Sequence, residues 1–136
     1  MTPQQLADLH KLCFQTPRPW SASEFGDLLA SPHVFVLTES AGFLMARVVA
    51  DEAELLTLAV APDQRRKGIG RRLVTRFIEA SESRGARCAF LEVSAENDFA
   101  TMLYRSFGFV ESGRRKGYFV TPGGQTVDAL VMTLNL

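Results

Sequence analysis

The sequence predicts a mixed α/β fold in which a central mixed sheet (α+β rather than all-parallel) carries packed helices in the order ααβββαβαββ. Three observations predict it. Apolar residues recur at helical spacing in four separate segments, β-rich runs with short polar breaks lie between them, and proline or glycine punctuates nearly every change of period. The 136 residues, 46% of them hydrophobic, suit one compact domain spanning 1–136, because a chain of about 150 residues buries roughly two thirds of its unfolded surface. No internal repeat and no linker rich in Pro, Gly or Ser divides it.

In the first segment Leu6, Leu9, Leu12 and Cys13 have helical spacing, and the helix stops before Thr16-Pro17-Arg18-Pro19, where two prolines forbid continuation. In Trp20-Ser21-Ala22-Ser23-Glu24-Phe25, Ser21 is placed to cap a second helix and Glu24 to close the capping box. Trp20 staples onto Phe25, and the helix runs to Leu29. Val34 to Leu37, Ala41 to Val49 and Glu54 to Ala61 then read as three consecutive antiparallel strands. Beyond Pro62 the helical period returns with Ile69, Leu73 and Phe77 on one stripe, Val74 and Ile78 beside it, and Gly85 as the C-terminal cap. Arg87 to Val93 is a strand. Asn97 to Phe107 is a helix with Ala100, Leu103, Tyr104 and Phe107 on one face, stopped by Gly108. A strand from Phe109, a turn at Pro122-Gly123-Gly124 and a last strand from Val127 to Leu134 complete the chain.

Composition excludes several classes. No apolar run is long enough to cross a membrane, and the start of the chain has neither a basic cluster nor an apolar stretch, so the expectation is a cytoplasmic protein with no membrane partner. Cys13 and Cys88 lack partners at metal spacing, which predicts buried free thiols and no metal. The formal net charge of zero conceals a division: residues 1–63 carry three basic and eight acidic side chains, residues 64–136 twelve and seven. Six of those twelve lie between Arg65 and Arg76, with no acid among them. That cluster is too local for a nucleic-acid footprint and suits a few phosphates, or else a solvated helix face. Interleaved aromatics of the kind that stack single-stranded bases are missing from it, so no direct nucleic-acid binding is expected.

The informative stretch is the passage from the third strand through Ala61-Pro62-Asp63 into Gln64-Arg65-Arg66-Lys67-Gly68-Ile69-Gly70 and directly into a helix. Strand, glycine loop and helix start together form an anion cradle. Backbone N–H groups and the positive end of the helix dipole converge, and glycine lets phosphate oxygens come close. The loop is not a P-loop, because no Lys-Ser or Lys-Thr follows the last glycine. Nor is it the dinucleotide fingerprint, which would need glycine in place of Leu73.

Arg65-Arg66-Lys67-Gly68-Ile69-Gly70 after Leu58-Ala59-Val60 resembles the R/Q-x-x-G-x-G/A signature of the Gcn5-related N-acetyltransferase (GNAT) family. The resemblance continues through Leu91-Glu92-Val93, Asn97 and Leu103-Tyr104-Arg105-Ser106-Phe107-Gly108-Phe109. With Pro19-Trp20-Ser21 and Arg115-Lys116-Gly117-Tyr118-Phe119, the chain is similar to the branch that acetylates protein N-termini, the ribosomal-protein-alanine N-acetyltransferases. Three features depart from that branch: the chain begins almost at the first helix, so the strand that usually precedes it is missing or lost from the start, Ser94 stands where arginine is common, and Phe119 where a second tyrosine is frequent. They bear on acceptor identity and leave the cofactor chemistry untouched.

The resemblance implies a GNAT-like fold and an acetyl-coenzyme A dependent transfer by direct attack of an amine on the thioester. Leu58, Ala59, Val60, Arg65, Arg66, Lys67, Gly68, Ile69, Gly70, Arg71 and Asn97 are then the cofactor-binding residues. It further implies Glu92 as the base that takes the amine proton directly or through water, and the Tyr104 hydroxyl as the group that protonates the departing thiolate. A backbone N–H near Val60 would serve the oxyanion. From the residues alone, Glu92 lies on a strand face with Cys88 and Phe90 and reads equally as a base or as half of a structural ion pair. Tyr104, seven residues after Asn97 and about 10 Å along the same helix face, reads alone as a core aromatic.

The acceptor is expected to be a protein N-terminus, such as that of a ribosomal protein. A small-molecule amine and a non-catalytic acyl-coenzyme A sensor are the alternatives, and the chain is expected to be a monomer or weak dimer. Neither cysteine sits where a nucleophile is needed. His10 and His33 read as surface or capping residues, Trp20 as staple and pocket wall, and Phe35, Phe43 and Met45 as core. Arg114, Arg115 and Lys116 form either a solvated turn or an attractor of acidic peptides.

Overall fold

A computed structural model describes residues 1–15 and 17–136; Thr16, in the segment read as a helix break, lies outside the described residues. The order is α1 (Pro3–Cys13), α2 (Ala22–Leu29), β1 (Val34–Glu39), β2 (Gly42–Val49), β3 (Glu52–Val60), α3 (Ile69–Ser83), β4 (Cys88–Ser94), α4 (Asp98–Ser106), β5 (Val110–Val120) and β6 (Thr126–Asn135), with one 3-10 turn at Pro62–Gln64. This is the predicted succession. The six strands form one sheet in the order β1-β2-β3-β4-β6-β5, antiparallel except at β3–β4.

Local chemistry accounts for the helix ends. Thr2 and Ser21 each close a complete capping box, with Gln5 and Glu24 respectively, and the Trp20 and Phe25 rings meet at 5.5 Å as the staple. Arg18 adds a two-pronged ion pair to Glu24 at 2.8 Å, and this contact first, with the Ser21 N–H, holds the Glu24 carboxyl down at about 2. Gly85 and Gly108 end α3 and α4 at φ of 86° and 98°, in the left-handed region that glycine enters freely.

Two hydrophobic clusters sandwich the sheet. On one face Leu73, Val74 and Phe77 of α3 and Tyr104 of α4 pack on Leu44, Leu55, Leu91 and Met132. On the other, Leu6 and Leu9 of α1 and Phe25 of α2 pack on Phe43, Met45 and Ala59. The stripe predicted for α1 needs correction, because Leu12 is 67% exposed and His10 takes the buried place. Leu6 and His10 stand four residues apart on one face, whereas Leu12 falls on the opposite side. Both cysteines are free and half-buried rather than buried.

One irregularity in the sheet shapes the cavity. β3 and β4 are paired only at Glu52–Glu54 with Cys88–Phe90, while β4 stays paired with β6 through Ser94. Next to the parting, β3 carries an extra residue: Met45 opposes Thr57 and Ala46 opposes Leu55, which leaves Leu56 as the bulge. A bulge bends its strand and reverses the side-chain parity beyond it. Ala53 and Leu55 therefore face α3, whereas after the bulge Leu58 and Val60 face α3 and Thr57 and Ala59 face α1. The inner edges of β3 and β4 open like a V, with backbone N–H and C=O groups that have no ladder partner.

Gly42 seats the start of α3 against the sheet. A Cβ there would come within 2.9 Å of Ile69 Cγ2 and 3.2 Å of the Ala59 carbonyl oxygen. Gly42→Val is expected to lower stability by about 1–3 kcal/mol, the usual penalty for overpacking, read as a lower denaturant midpoint. An unchanged midpoint would show that this end of the sheet yields freely.

Candidate active site

A cavity of about 840 Å³ fills the V and extends both ways from it. One end is the loop between β3 and α3; the other is walled by the α1–α2 connection (Phe14, Pro17, Trp20) and the β5–β6 hairpin (Phe119, Thr121).

At the loop end the main chain is left-handed at Arg66 (φ 65°) and at Gly68 (φ 79°), and Gly68 is the N-cap of α3 with no side chain to satisfy the first-turn N–H groups. Unpartnered donors at the positive end of a 15-residue helix favour an anion. Gly70 is closely covered: a Cβ there would lie 3.3 Å from Leu103 Cδ2. Arg65, Arg66, Gly68, Ile69, Gly70 and Arg71 line the cavity.

The basic cluster divides. Arg72 and Arg76 turn away to Glu39 at 2.8 and 2.9 Å, holding its carboxyl below the usual range, and so drop out of the site. Lys67 bonds Gln64 Oε1 and does not line the cavity. Arg71 donates to Ser106 Oγ and lies 4.9 Å over the Phe107 ring, which ties α3 to α4.

Along the V, Leu58 and Val60 line the cavity, whereas the Ala59 side chain is buried on the opposite face against α1 and α2. Asn97 also lines it, as the N-cap of α4 rather than a member of the helix: its Oδ1 accepts from the Ala100 N–H at 3.1 Å, leaving the amide NH₂ to donate. One helix face does not carry both Asn97 and Tyr104, yet both border the same cavity. Tyr104 is buried edge-on to Phe109 at 5.8 Å, and burial pushes its phenol upward, so the hydroxyl keeps its proton.

Glu92 borders the cavity on the α1 side of the sheet and keeps 28% of its side-chain surface. Its Oε1 lies 3.1 Å from Arg115 Nη2, and the Arg115 guanidinium sits 5.1 Å over the Tyr118 ring. Glu92 is thus half of an ion pair and also faces the cavity. Arg114 pairs with Asp128 at 2.9 Å.

Two residues were missed in the sequence. Cys13 borders the cavity, but its thiol donates to the Val60 carbonyl at 3.2 Å and burial pushes its pKa up, so it is no nucleophile. His10, expected at the surface, is 1% exposed and also borders the cavity. The signal for it was present in the helical spacing from Leu6, where an isolated polar residue on an apolar stripe marks a buried, bonded group.

Because the strands part beside an uncapped helix start, the cavity has room for a long anionic molecule next to a tyrosine and a carboxylate, an arrangement suited to group transfer. The chain belongs to the Acetyltransferase (GNAT) family, whose family model matches residues 4–109, and is an N-acetyltransferase. It is 40% identical over 120 residues to the [ribosomal protein bS18]-alanine N-acetyltransferase of Escherichia coli (strain K12), covering 85% of this chain and 80% of that protein. To the N-alpha-acetyltransferase RimI of Mycobacterium tuberculosis it is 36% identical over 129 residues, covering 88% and 80%. In solved structures, the ribosomal-protein-S18-alanine N-acetyltransferase from Escherichia coli matches with TM-score 0.84, 35% identity and coverage of 95% and 84%. Arabidopsis thaliana NAA60 in complex with acetyl-CoA matches in fold with TM-score 0.85, 19% identity and coverage of 99% and 93%.

Proposed function

We propose that this protein transfers the acetyl group of acetyl-coenzyme A to the N-terminal α-amine of a protein, with a ribosomal protein beginning in alanine as the acceptor. The observation that carries the reading is the single cavity running from the glycine loop, through the opening between β3 and β4, to a mouth walled by Trp20 and Phe119. The similarity to the Escherichia coli enzyme supports the choice of acceptor.

The residues fit acetyl-coenzyme A. The uncapped N–H groups at Gly68 to Arg71, with Arg65, Arg66 and Arg71, suit its phosphates. The unpaired edges of β3 and β4 suit an amide-bearing arm, with Leu58 and Val60 on one side and the Asn97 amide near α4. When bound, the cosubstrate supplies an acetyl group activated as a thioester.

Glu92 Oε takes the proton that the neutral acceptor amine sheds as its nitrogen lone pair attacks, directly or through water. The Tyr104 Oη–H offers its proton to the leaving sulfur as a hydrogen-bond donor. A backbone N–H on the open edge of β3 offers a donor to the carbonyl oxygen, where one well-placed donor is worth about 3–4 kcal/mol. Cys13 and Cys88 take no part, so no covalent enzyme intermediate forms.

A thiol-release assay with acetyl-coenzyme A, run against Ala- and Ser-starting peptides, lysine peptides and small amines, tests the proposal. Release with the Ala-starting peptide is expected; release with small amines alone would overturn the acceptor, and binding without release from any acceptor would make the protein a sensor. Gly70→Val, whose side chain would press on Leu103 at the loop end of the cavity, is expected to raise the KM for acetyl-coenzyme A about tenfold or more and to lower the thermal midpoint modestly. An unaltered KM would remove the loop from the binding site.

A further inference from the structure

His10 sits where the α1–α2 wall meets the bulged strand. Its ring stacks on Phe14 at 4.3 Å and Trp20 at 5.1 Å and meets Phe25 edge-on at 5.4 Å. Both ring nitrogens are bonded: the Trp20 backbone N–H lies 3.0 Å from Nδ1, and Nε2 lies 3.0 Å from Thr57 Oγ1. A backbone N–H can only donate, so Nδ1 is the acceptor. In the neutral ring the proton is therefore on Nε2 and goes to Thr57. Burial holds the ring neutral down to about pH 4 against a small opposing pull from Glu24. Thr57 spends a lone pair on this bond and keeps its own hydroxyl proton to donate.

Thr57 and Glu92 stand level across the opening. From the last paired residues, Glu54 and Phe90, two steps along β4 reach Glu92, and the same rise along β3, through the extra residue Leu56, reaches Thr57. The bulge also turns Thr57 onto the α1 side of the sheet, where Glu92 lies. Paired strands are about 4.8 Å apart and these have parted, so the gap admits a small polar molecule. Both residues border the cavity.

We propose that His10 is a positioning residue for acetyl transfer: it locks the Thr57 hydroxyl opposite Glu92, and that hydroxyl anchors the water that carries the acceptor amine's proton to Glu92. The water accepts a hydrogen bond from Thr57 Oγ–H. As the N–C bond forms, the amine N–H proton passes to the water oxygen and a water proton passes to the Glu92 carboxylate, while the C–S bond of the thioester breaks and coenzyme A departs as the thiolate. Charge and atoms balance, and Thr57 and His10 keep their own protons. The inference rests on the reading of Glu92 as the base.

The test compares Thr57→Val, Thr57→Ser, His10→Phe and the His10→Phe/Thr57→Val pair. Readouts are kcat, the KM for acetyl-coenzyme A, and the thermal midpoint, with an Ala-starting peptide as acceptor. Thr57→Val is expected to lower kcat about tenfold or more, the effect of one lost hydrogen bond to the reacting system, with the KM for acetyl-coenzyme A unchanged. Thr57→Ser, which restores the hydroxyl, is expected to recover most of that loss. His10→Phe is expected to lower kcat in the wild-type background and not further in Thr57→Val, because it acts through Thr57.

Wild-type kcat in Thr57→Val, no recovery by Thr57→Ser, or an undiminished effect of His10→Phe in the Thr57→Val background would each overturn the inference. If His10→Phe does not fold, the Val and Ser variants of Thr57 decide it. Glu92→Gln in parallel separates the two readings: full turnover in that variant removes the base itself, whereas its loss beside an active Thr57→Val removes only the relay.

Discussion

Glu92→Gln is expected to lower kcat by about 10² to 10⁴, the usual contribution of a positioned base, while leaving acetyl-coenzyme A affinity as it was. Gln preserves the shape of the side chain and its amide oxygen still accepts from Arg115, so the pairing at 3.1 Å is weakened rather than abolished. What the variant cannot do is take a proton. Single-turnover kinetics together with a binding isotherm for the cosubstrate check this. A variant that turns over within a few-fold of the wild type would reduce Glu92 to its ion pair with Arg115. Tyr104→Phe, which removes only the buried hydroxyl, is expected to lose less, because hydrogen bonding to the leaving sulfur is one contribution among several.

The second large effect is on stability. Burial lowers the His10 pKa from 6.5 to about 4, partly offset by the carboxylate of Glu24. Between those pH values the unfolded chain binds a proton that the folded chain refuses, so this stabilisation is complete above pH 6.5 and declines as pH falls toward 4. The shift corresponds to about 3 kcal/mol. Denaturant midpoints measured from pH 7 to pH 4 should fall accordingly. His10→Gln, which does not titrate and offers both a donor and an acceptor, should flatten the decline over that interval. The ion pairs of Glu24 and Glu39 contribute a separate loss at lower pH, since both carboxyls are held below their ordinary range. If the wild type and His10→Gln decline in parallel, the ring is not carrying the dependence.

The elements were legible because their signals are local. Ser21 with Glu24, Trp20 with Phe25, the αL glycines at 85 and 108, and the glycine loop between a strand and a helix each lie within a few residues of their partners. Each appears where the sequence places it. The cavity itself was mostly legible: Arg65, Arg66, Gly68, Ile69, Gly70, Arg71, Leu58, Val60, Asn97, Glu92 and Tyr104 all border it. Ala59 and Lys67 do not: the Ala59 side chain has the opposite strand parity, and Lys67 bonds back onto its own loop at Gln64.

What the sequence by itself determined was the order of elements, the anion cradle and the chemical inventory of the site, since periodicity, capping and turn residues act over three or four positions. The tertiary structure alone decided which charges remain free. Arg72 and Arg76 are spent on Glu39, more than thirty residues away, and Glu92 is held by Arg115 from another strand. It alone also turned His10 inward to meet Thr57, forty-seven positions on, through a bulge visible only in the register against β2. Such pairings depend on distances through space between segments remote in the chain, and residue spacing carries no record of them.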